Sequence, residues 1–491
     1  MVEDLDMEKA NQDISENGSG FIKIKKFHFV MLIFLIVFLA AGITAVALSF
    51  GDEKAVKVAN ERSEFDKLYS AYDTINENYY KEVDKDTLVN GAINGMVESL
   101  DDPYSDYMDE KETEKFHQTI SSSFEGIGAE IEEQDGYISI VSPLKGSPAE
   151  KAGLKPKDKV ISVDGKSLQG MSSTEAVTLI RGKKGTKVSL VIQRPGSEGT
   201  MTISVVRDTI PIETVYGEML KDGIAKIQIT TFSDNTSQEV IDTLNVLSKQ
   251  GMKGVILDLR QNPGGLLNQA VNIANLFVPN GKPVLKIEDR KGNIEVIKAT
   301  NENNPEMPLV VVIDNGSASA SEILAAAVSE SADVPLVGEK SFGKGTVQNA
   351  RDFDDGSNLK FTTEKWLTPD GNWIHKKGIE PDYKVSLPDY ASLPYINPDS
   401  KLKETDSSDQ IKTAEKMLKA VGYEPGKVDG YFDNKLKATI VKFQKDNKLK
   451  QDGILTGKTT TKLMEKLRDK LVKNDTQIKK AEEVLKKQIN Q

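Results

Sequence analysis

One apolar segment near the N-terminus constrains the topology of this chain more than any other feature. Between Lys26 and Asp52 there is no Asp, Glu, Lys or Arg, and residues 29–50 form an almost continuous apolar run of 22 residues. Because a helix rises about 1.5 Å per residue, such a run crosses a hydrocarbon core of about 30 Å. The sequence therefore predicts a transmembrane anchor at 27–51.

The charges that flank the anchor predict its orientation. Lys23, Lys25 and Lys26 precede it, and Asp52 and Glu53 follow it. The positive-inside rule then makes 1–26 a cytoplasmic tail and leaves the rest extracytoplasmic, as in a single-pass protein of the cell membrane. A cleavable signal peptide, with a cleavage site at Ala45-Val46-Ala47, is the alternative, although its apolar region normally has only about 7–15 residues.

The amino-acid composition limits the kinds of catalytic and metal-binding site that the chain can form. The chain has 491 residues, which is enough for several domains of about 100–200 residues each. It has no cysteine, which excludes disulfides, thiolate metal sites and a cysteine nucleophile. Its three histidines, His28, His117 and His375, lack the paired spacing of a helical zinc motif. We therefore expect no metal and no cofactor.

Charge is divided unevenly along the chain. The net charge is −11, yet 401–491 contain 22 Lys and Arg against 14 Asp and Glu, a net charge of +8. The acidic remainder argues against a nucleic-acid enzyme, and the basic end predicts a module that meets an anionic partner. The alternative is a Lys-rich segment that is merely soluble.

Sequence patterns divide the chain after the anchor into six segments. Residues 55–118 have apolar positions at helical spacing and no catalytic cluster, so we expect packing or self-association into a homo-oligomer there. The later segments are short glycine-punctuated strands at 119–208, alternating strands and helices at 209–390, a linker rich in Pro, Asp and Ser at 391–408, helices at 409–470, and a charged helical tail at 471–491.

The 119–208 segment has features of a peptide-binding module. Backbone N–H groups in the turn Gly126-Ile127-Gly128-Ala129 can hold a carboxylate, and Ser172 and Glu175 are spaced as a capping box. On spacing alone, this is equally a glycine-containing hairpin. The stretches 146–158 and 161–165, however, resemble the PDZ domains of bacterial proteases. That resemblance implies that Gly126, Ile127, Gly128 and Ala129 bind the C-terminus of a peptide.

A serine at a strand-to-helix turn is the candidate nucleophile. Leu309–Ile313 reads as a buried strand, and an alanine-rich helix begins at Ser319. A hydroxyl there lies beside the positive end of the helix, where the next N–H can face an oxyanion. Ser319 and Glu322 are also spaced as a capping box, so an ordinary N-cap is the alternative. Catalysis requires a base.

Lysine is the better candidate for that base. Neither His117 nor His375 has a local catalytic signature. Lys344 lies between two glycines, and burial would have to lower its pKa from about 10.4 towards 7–8. If 344–348 is extended, Gln348 shares its face and can orient its amine. Residues 338–344 also fit a phosphate-binding P-loop, but Gly345 stands where Ser or Thr is required and a strand follows.

Three motifs together resemble the carboxyl-terminal processing peptidases, or tail-specific proteases. They are Asp258-Leu259-Arg260-Gln261-Asn262-Pro263-Gly264-Gly265, Gly316-Ser317-Ala318-Ser319-Ala320-Ser321-Glu322-Ile323 and the stretch 337–348. The resemblance covers about residues 60–390. It implies Ser319 as nucleophile, Lys344 as base, Gln348 as the residue that orients the lysine, and an oxyanion site at Gly264 or Gly265 with Ala320.

The C-terminal motifs 428–434, 438–444 and 452–456 resemble a peptidoglycan-binding module of three helices, with Phe443 and Leu455 in its core. A spacer without affinity for the cell wall is the alternative.

The expected fold class is therefore multidomain α/β. It comprises an N-terminal transmembrane helix, a helical region, a β-sandwich-like PDZ domain, an α/β serine protease core and a small three-helix domain. The expected function is an anchored extracytoplasmic endopeptidase acting on proteins or peptides with free C-termini, bound to membrane and peptidoglycan but not to nucleic acid. The alternative is a non-enzymatic PDZ and cell-wall scaffold.

Overall fold

The computed structural model describes Met31 and residues 63–134, 136–301 and 307–490. The predicted cytoplasmic tail and, except for Met31, the predicted anchor lie outside the described residues. Within the described ranges, no helix combines the length and the apolar character needed to cross a bilayer. The chain divides into two units, 1–89 and 90–491.

The N-terminal helices agree with the helical pattern predicted for this region. A short 3-10 turn, Ser63–Phe65, leads into helix α1 (Asp66–Asn78), and α2 (Lys85–Glu98) follows. Neither helix has a buried residue, and Leu68, Tyr69 and Ile75 are exposed on α1.

The 209–390 region is built mainly on one mixed sheet, with three of its helices on one face of that sheet. Its strands run in the order β10-β11-β12-β15-β16-β19, all parallel except β10. The strands are β10 (Val215–Met219), β11 (Ile224–Ile229), β12 (Gly254–Asp258), β15 (Leu309–Ile313), β16 (Leu336–Gly338) and β19 (Tyr383–Lys384). The helices on its first face are α6 (Thr236–Lys249), α7 (Leu267–Ala274) and α8 (Ala320–Ala332).

A second, antiparallel sheet lies beside this core. Its strands are β1 (Asp106–Met108), β13 (Pro283–Glu288), β14 (Ile294–Lys298), β17 (Thr346–Asp352) and β18 (Asn358–Leu367). The strand β1, which the sequence pattern did not predict, pairs with β18 and leads into α3 (Glu110–Ser121). The helical stretch predicted to run to residue 118 is therefore interrupted by a strand.

The C-terminal segment 471–491 is helical as expected, but it is not a free tail. Helix α12 (Thr476–Ile489) packs its apolar side on the second face of the mixed sheet. The residues in this contact are Ile478, Ala481, Val484 and Leu485 on the helix and Ile224, Ile256, Val310, Val312 and Val337 on the strands. Since parallel strands are normally covered on both faces, α12 completes the core around this sheet.

The 119–208 region forms two small sheets and two helices. The larger sheet has the order β3-β4-β5-β7-β8, with β6 paired to β5, and β2 pairs separately with β9. Their bounds are β2 (Ser123–Gly126), β3 (Ala129–Gln134), β4 (Tyr137–Pro143), β5 (Lys159–Val163), β6 (Lys166–Ser167), β7 (Lys187–Gln193), β8 (Met201–Val206) and β9 (Asp208–Pro211). The helices are α4 (Pro148–Lys151) and α5 (Ser173–Ile180), and the predicted Ser172–Glu175 capping box begins α5.

The C-terminal helical region has its own core. Helices α9 (Asp409–Ala420), α10 (Asn434–Asp446) and α11 (Gly457–Lys473) pack around Phe443 and Leu455, as predicted for these two residues. Leu393, Ile396 and Leu402 of the predicted linker 391–408 also pack there, with Ile396 fully buried. This segment is therefore part of the helical region rather than a free connection.

Candidate active site

The candidate site forms where three parallel strands end. The loop 259–265 follows β12, Ser319 follows β15 within six residues, and Lys344 follows β16 within six residues. Because the carboxyl ends of parallel strands meet at one edge of a sheet, motifs far apart in sequence converge there. The sequence predicted alternating strands and helices here, and the sheet order β12-β15-β16 brings the ends of these three strands together.

Ser319 has a strained backbone. Its φ is 54° and its ψ is −112°, a region that residues other than glycine rarely adopt. Ala320 begins α8 immediately afterwards, and the Ser319 N–H donates to Glu322 Oε2 at 2.9 Å. A sharp, strained turn between strand and helix is the backbone arrangement that exposes a nucleophilic serine.

Glu322 connects this turn to the lysine loop. Its Oε1 accepts hydrogen bonds from Ser341 Oγ at 2.5 Å and from the Gly343 N–H at 2.7 Å. Its Oε2 accepts from the Lys344 N–H at 2.8 Å, as well as from Ser319. Burial raises the pKa of Glu322, although all four of these bonds oppose the rise. One buried carboxylate therefore fixes the backbone of both candidate catalytic residues.

Two tryptophans hold the same loop from its other side. Trp366 Nε1 donates to the Lys344 carbonyl and Trp373 Nε1 donates to the Gly345 carbonyl, both at 2.8 Å. Trp366 is fully buried. The lysine loop is thus fixed through its carbonyls as well as through its N–H groups.

The amine of Lys344 has the electrostatic environment that a general base needs. Burial lowers the pKa of Lys344, and the positive charge of Lys360 lowers it further. The negative charges of Asp102 and Glu322 act in the opposite direction without reversing the shift. A lowered pKa increases the fraction of neutral amine, which is the form that accepts a proton.

Ser319, Lys344 and Gln348 line one cavity of about 390 Å³. Most of the other lining residues are apolar, among them Phe116, Ile120, Phe232, Leu266, Ile323 and Trp366. Neither of the histidines in the described ranges lines it: His117 pairs with Asp352 on the surface, and His375 stacks on Trp373. The strand β17 that follows the lysine is also inconsistent with a P-loop, which requires a helix there.

Gln348 lies in β17 with its amide nitrogen engaged. Its Nε2 donates to Thr346 Oγ1 at 2.9 Å and lies 3.5 Å from Thr362 Oγ1 on β18. The amide oxygen is consequently directed away from these threonines. Gln348 and Lys344 line the same cavity. The amide oxygen is the only acceptor on the Gln348 side chain, and its proposed role in orienting the amine stays a prediction.

The structure separates the two glycines considered for the oxyanion site. The Gly264 N–H donates to Asn262 Oδ1 at 2.9 Å, so this donor is used within its own loop. Gly265 lines the cavity beside Ser319. A Cβ atom on Gly265 would lie 2.1 Å from the Phe232 carbonyl oxygen, so only glycine fits there. Gly265 is therefore the better donor, together with Ala320 at the helix start, where N–H groups lack intrahelical acceptors.

The predicted carboxylate turn lies at the edge of the PDZ-like sheet. Gly126 ends β2, Ala129 begins β3, and β3 is an edge strand. The Ile127 and Gly128 carbonyls accept from the Ala149 and Leu144 N–H groups at 2.8 and 2.9 Å. An edge strand can accept a peptide as an additional strand.

Gly128 has no room for a side chain. Its φ is +72°, and a Cβ atom there would lie 2.5 Å from Ser147 Cβ. The turn therefore requires glycine at this position.

Sequence reasoning missed several residues that build the site. Glu322 was considered only as a capping partner of Ser319, and Trp366, Trp373 and Asn262 received no separate role. Asn262 donates to the Ile229 carbonyl and accepts from the Ala318 N–H, thereby joining the glycine loop to the serine turn. One signal was available: the chain has only two tryptophans, and both follow the lysine motif closely.

Comparison with known proteins gives consistent matches along the chain. Residues 223–385 match peptidase family S41, 118–193 match the PDZ domain, 407–463 match a peptidoglycan binding domain, and 43–113 match the activating protease CtpB N-terminal domain. The chain is 53% identical over 466 residues to the carboxy-terminal processing protease CtpA of Bacillus subtilis (strain 168), covering 94% of this chain and 99% of that protein. It is 43% identical over 421 residues to CtpB of the same strain, covering 85% and 88%.

Proposed function

Because the chain belongs to the carboxy-terminal processing serine proteases of peptidase family S41, we propose that it cleaves peptide bonds with a Ser319–Lys344 dyad assisted by Gln348. The observation that carries this assignment is the shared cavity, which is lined by both the strained serine and a lysine whose pKa is lowered by burial. This arrangement also disfavours a non-enzymatic scaffold, because a scaffold has no use for a lysine of lowered pKa in one cavity with a strained serine.

The proposed reaction proceeds in two halves. The neutral Lys344 amine takes the Ser319 Oγ proton while Oγ attacks the substrate carbonyl carbon. The N–H groups of Gly265 and Ala320 stabilise the resulting oxyanion. The Lys344 ammonium then gives its proton to the leaving amine, the peptide bond breaks and an acyl-enzyme remains. Water attacks this ester, Lys344 takes a proton from the water, and the proton returns to Ser319 Oγ as the ester bond breaks.

The PDZ domain is proposed to bind the C-terminus of the substrate. Its edge strand β3 can pair with an extended peptide, and the turn Gly126-Ile127-Gly128-Ala129 can offer N–H groups to the terminal carboxylate. Protein or peptide substrates with free C-termini would then be held while an upstream bond enters the cavity.

The proposed location is the extracytoplasmic side of a cell membrane. The uncharged apolar run at 27–51 and the lysines before it support a single-pass anchor. The match at 407–463 and the net charge of +8 over 401–491 support binding to peptidoglycan. The exposed apolar residues of α1 support self-association as a homo-oligomer through the N-terminal helices.

Three substitutions test the proposed catalytic residues on the portion 55–491. Ser319→Ala and Lys344→Ala should each abolish cleavage, because the two residues act as one unit, and Gln348→Ala should retain part of the activity. Lys340→Ala is the matched control, since Lys340 lies in the same loop and pairs with Glu380 on the surface. Normal turnover by Lys344→Ala would show that the base is wrongly assigned.

Amidation of the substrate C-terminus tests the PDZ proposal separately. The amide removes the negative charge that the turn is proposed to bind, so its KM should rise or its cleavage should slow. Equal kinetics for the acid and the amide would remove terminal recognition from the mechanism.

A further inference from the structure

The turn between α2 and β1 reaches the candidate active site, although the proposed mechanism gives it no role. Tyr104, in the turn 101–105, places its ring beneath the side chain of Lys344, with Nζ 4.8 Å from the ring centroid. An ammonium at this distance from an aromatic face is stabilised by a cation–π interaction. The turn therefore supplies one wall for the amine of the proposed base.

Asp102 ties the same turn to the strand opposite Gln348. Its Oδ2 accepts from Ser105 Oγ and from Thr362 Oγ1, both at 2.6 Å, and its Oδ1 accepts from the Tyr104 N–H at 3.2 Å. The Ser105 hydroxyl oxygen in turn accepts from the Thr362 N–H at 3.1 Å. Two of these hydrogen bonds thus stabilise the turn itself, and two hold it against β18.

The bond from Thr362 to Asp102 determines which way the Gln348 amide faces. A hydroxyl has one proton, and Thr362 gives its proton to the carboxylate. Towards Gln348 it can then only accept, which requires the amide nitrogen on that side. The Gln348 oxygen then lies on the side away from Thr362, and Lys344 lines the same cavity as Gln348. If Thr362 were free to donate, either orientation of the amide would be satisfied.

We propose that Asp102 and Tyr104 are positioning residues of the catalytic base: Tyr104 supports the Lys344 amine, and Asp102 acts through Thr362 to orient Gln348 towards that amine. This inference rests on the proposed Ser-Lys mechanism. It means that the lysine base is completed by a turn that precedes the PDZ domain in sequence, about 240 residues before the lysine.

The charges around Lys344 predict the direction in which its pKa should change when Asp102 is replaced. The negative charges of Asp102 and Glu322 favour the ammonium, and the positive charge of Lys360 disfavours it. Tyr104 contributes its ring face, and His375, edge-on to that ring, has a lowered pKa because of burial and the nearby Lys376. Removing the charge of Asp102 should therefore let Lys344 lose its proton at a lower pH.

The experiment measures kcat and kcat/KM against pH for cleavage of one peptide by the full-length protein in detergent. Activity requires the neutral amine, so kcat/KM should rise with pH along an acid limb that reports Lys344. In Asp102→Asn, the midpoint of this limb should move to lower pH and the plateau kcat should fall about tenfold, as expected when a catalytic group is misplaced. Thr362→Val removes the relay without changing charge, so its plateau should fall while its midpoint stays in place.

Two further variants distinguish the effect of the Tyr104 aromatic ring from an effect on folding. Tyr104→Phe keeps the aromatic face and should match the wild-type profile, whereas Tyr104→Leu should shift the midpoint to lower pH and reduce kcat. Asp101→Asn is the matched control, because Asp101 is an adjacent exposed carboxylate, and its profile should be unchanged.

The possible failures are distinguishable. If the wild-type protein cleaves and Lys344→Ala still cleaves normally, the proposed dyad itself is wrong. If cleavage depends on Lys344 but the Asp102→Asn midpoint does not move, the turn is only a structural support and the inference is overturned. Wild-type behaviour of Tyr104→Leu would overturn it as well.

Discussion

Replacing Glu322 by glutamine tests whether one buried carboxylate aligns the serine turn with the lysine loop. The carboxylate accepts four hydrogen bonds, two at each oxygen, from Ser341, Gly343, Lys344 and Ser319. A glutamine can accept at only one of these positions, because its NH₂ group would face donors at the other. In Glu322→Gln, an amide nitrogen at the Oε2 position loses the bonds from both the Ser319 and the Lys344 N–H groups. An amide nitrogen at the Oε1 position loses the bond from the Gly343 N–H, and the Ser341 hydroxyl must reverse to accept from it.

The magnitude follows from two opposing effects. A hydrogen bond to a charged group contributes about 1.5–3 kcal/mol, so losing one or two costs about 1.5–6 kcal/mol. The neutral amide, however, avoids the cost of burying a charge, which offsets several kcal/mol. We expect a net loss of about 1–3 kcal/mol in the free energy of unfolding. Because either the Gly343 or the Lys344 N–H group loses its acceptor, kcat should fall about 100-fold.

Urea unfolding and peptide cleavage measure the two quantities on the same preparation. Glu330→Gln is the matched control: it lies on the same helix, is half-exposed and accepts a hydrogen bond from the Asp370 N–H. Its kcat should stay near the wild-type value. A Glu322→Gln protein that folds and turns over within about twofold of the wild type would refute the alignment role.

The pH dependence of stability provides a second check. Burial raises the pKa of Glu322, so the folded protein holds this proton more tightly than the unfolded chain. Such a contribution is fully present below the unfolded pKa and is lost as pH rises through the folded pKa. The stability of the wild type relative to Glu322→Gln should therefore increase as pH falls through this window. A difference that decreases instead would show that the four hydrogen bonds outweigh burial.

Three other perturbations follow from the fold. Leu485→Ala in α12 should lower the free energy of unfolding by about 2–5 kcal/mol, measured in urea, while the exposed Lys487→Ala should change it by less than about 0.5 kcal/mol. Gly128→Ala should weaken binding of free-carboxylate peptides in calorimetry, because its Cβ would collide with Ser147, and Gly136→Ala, at a similar φ but in open space, is the control for backbone strain. The 55–491 protein should sediment with isolated peptidoglycan, and any part of that binding due to exposed charges should weaken with salt; no sedimentation at any salt would leave this module a spacer.

Local patterns were sufficient for most strands and helices near the site. The run Leu309–Ile313 is a strand with the predicted bounds, and the alanine-rich helix begins one residue after Ser319. The strand after Lys344 was also expected. These elements are encoded by short stretches of adjacent residues, in which apolar content, spacing and turn residues act together.

Contacts between segments that are far apart in sequence could not be predicted from local patterns. Asp102 and Tyr104 lie in the segment 55–118, for which we expected only packing or self-association, because nothing in their neighbourhood points to a lysine far along the chain. Helix α12 was expected to be a charged tail, although Ile478, Ala481 and Leu485 are spaced as one apolar face. The high lysine content of the segment suggested an exposed helix. The structure shows that the apolar face packs on the mixed sheet.

The contacts of α12 also bear on how the C-terminal module is attached. Arg260 follows β12 in the loop 259–265. Its guanidinium binds Asp258 beside it and Asp475 at the N-cap of α12. Burial by itself would lower the pKa of Arg260, but these two carboxylates outweigh it and raise the pKa, so the ion pair stays charged. Gln477 accepts a further hydrogen bond from the same guanidinium at 2.9 Å. After the peptidoglycan-binding-like helices, the chain thus returns to β12, the strand that precedes the loop 259–265. The helical module is therefore inserted before the last helix of the protease core rather than appended after it.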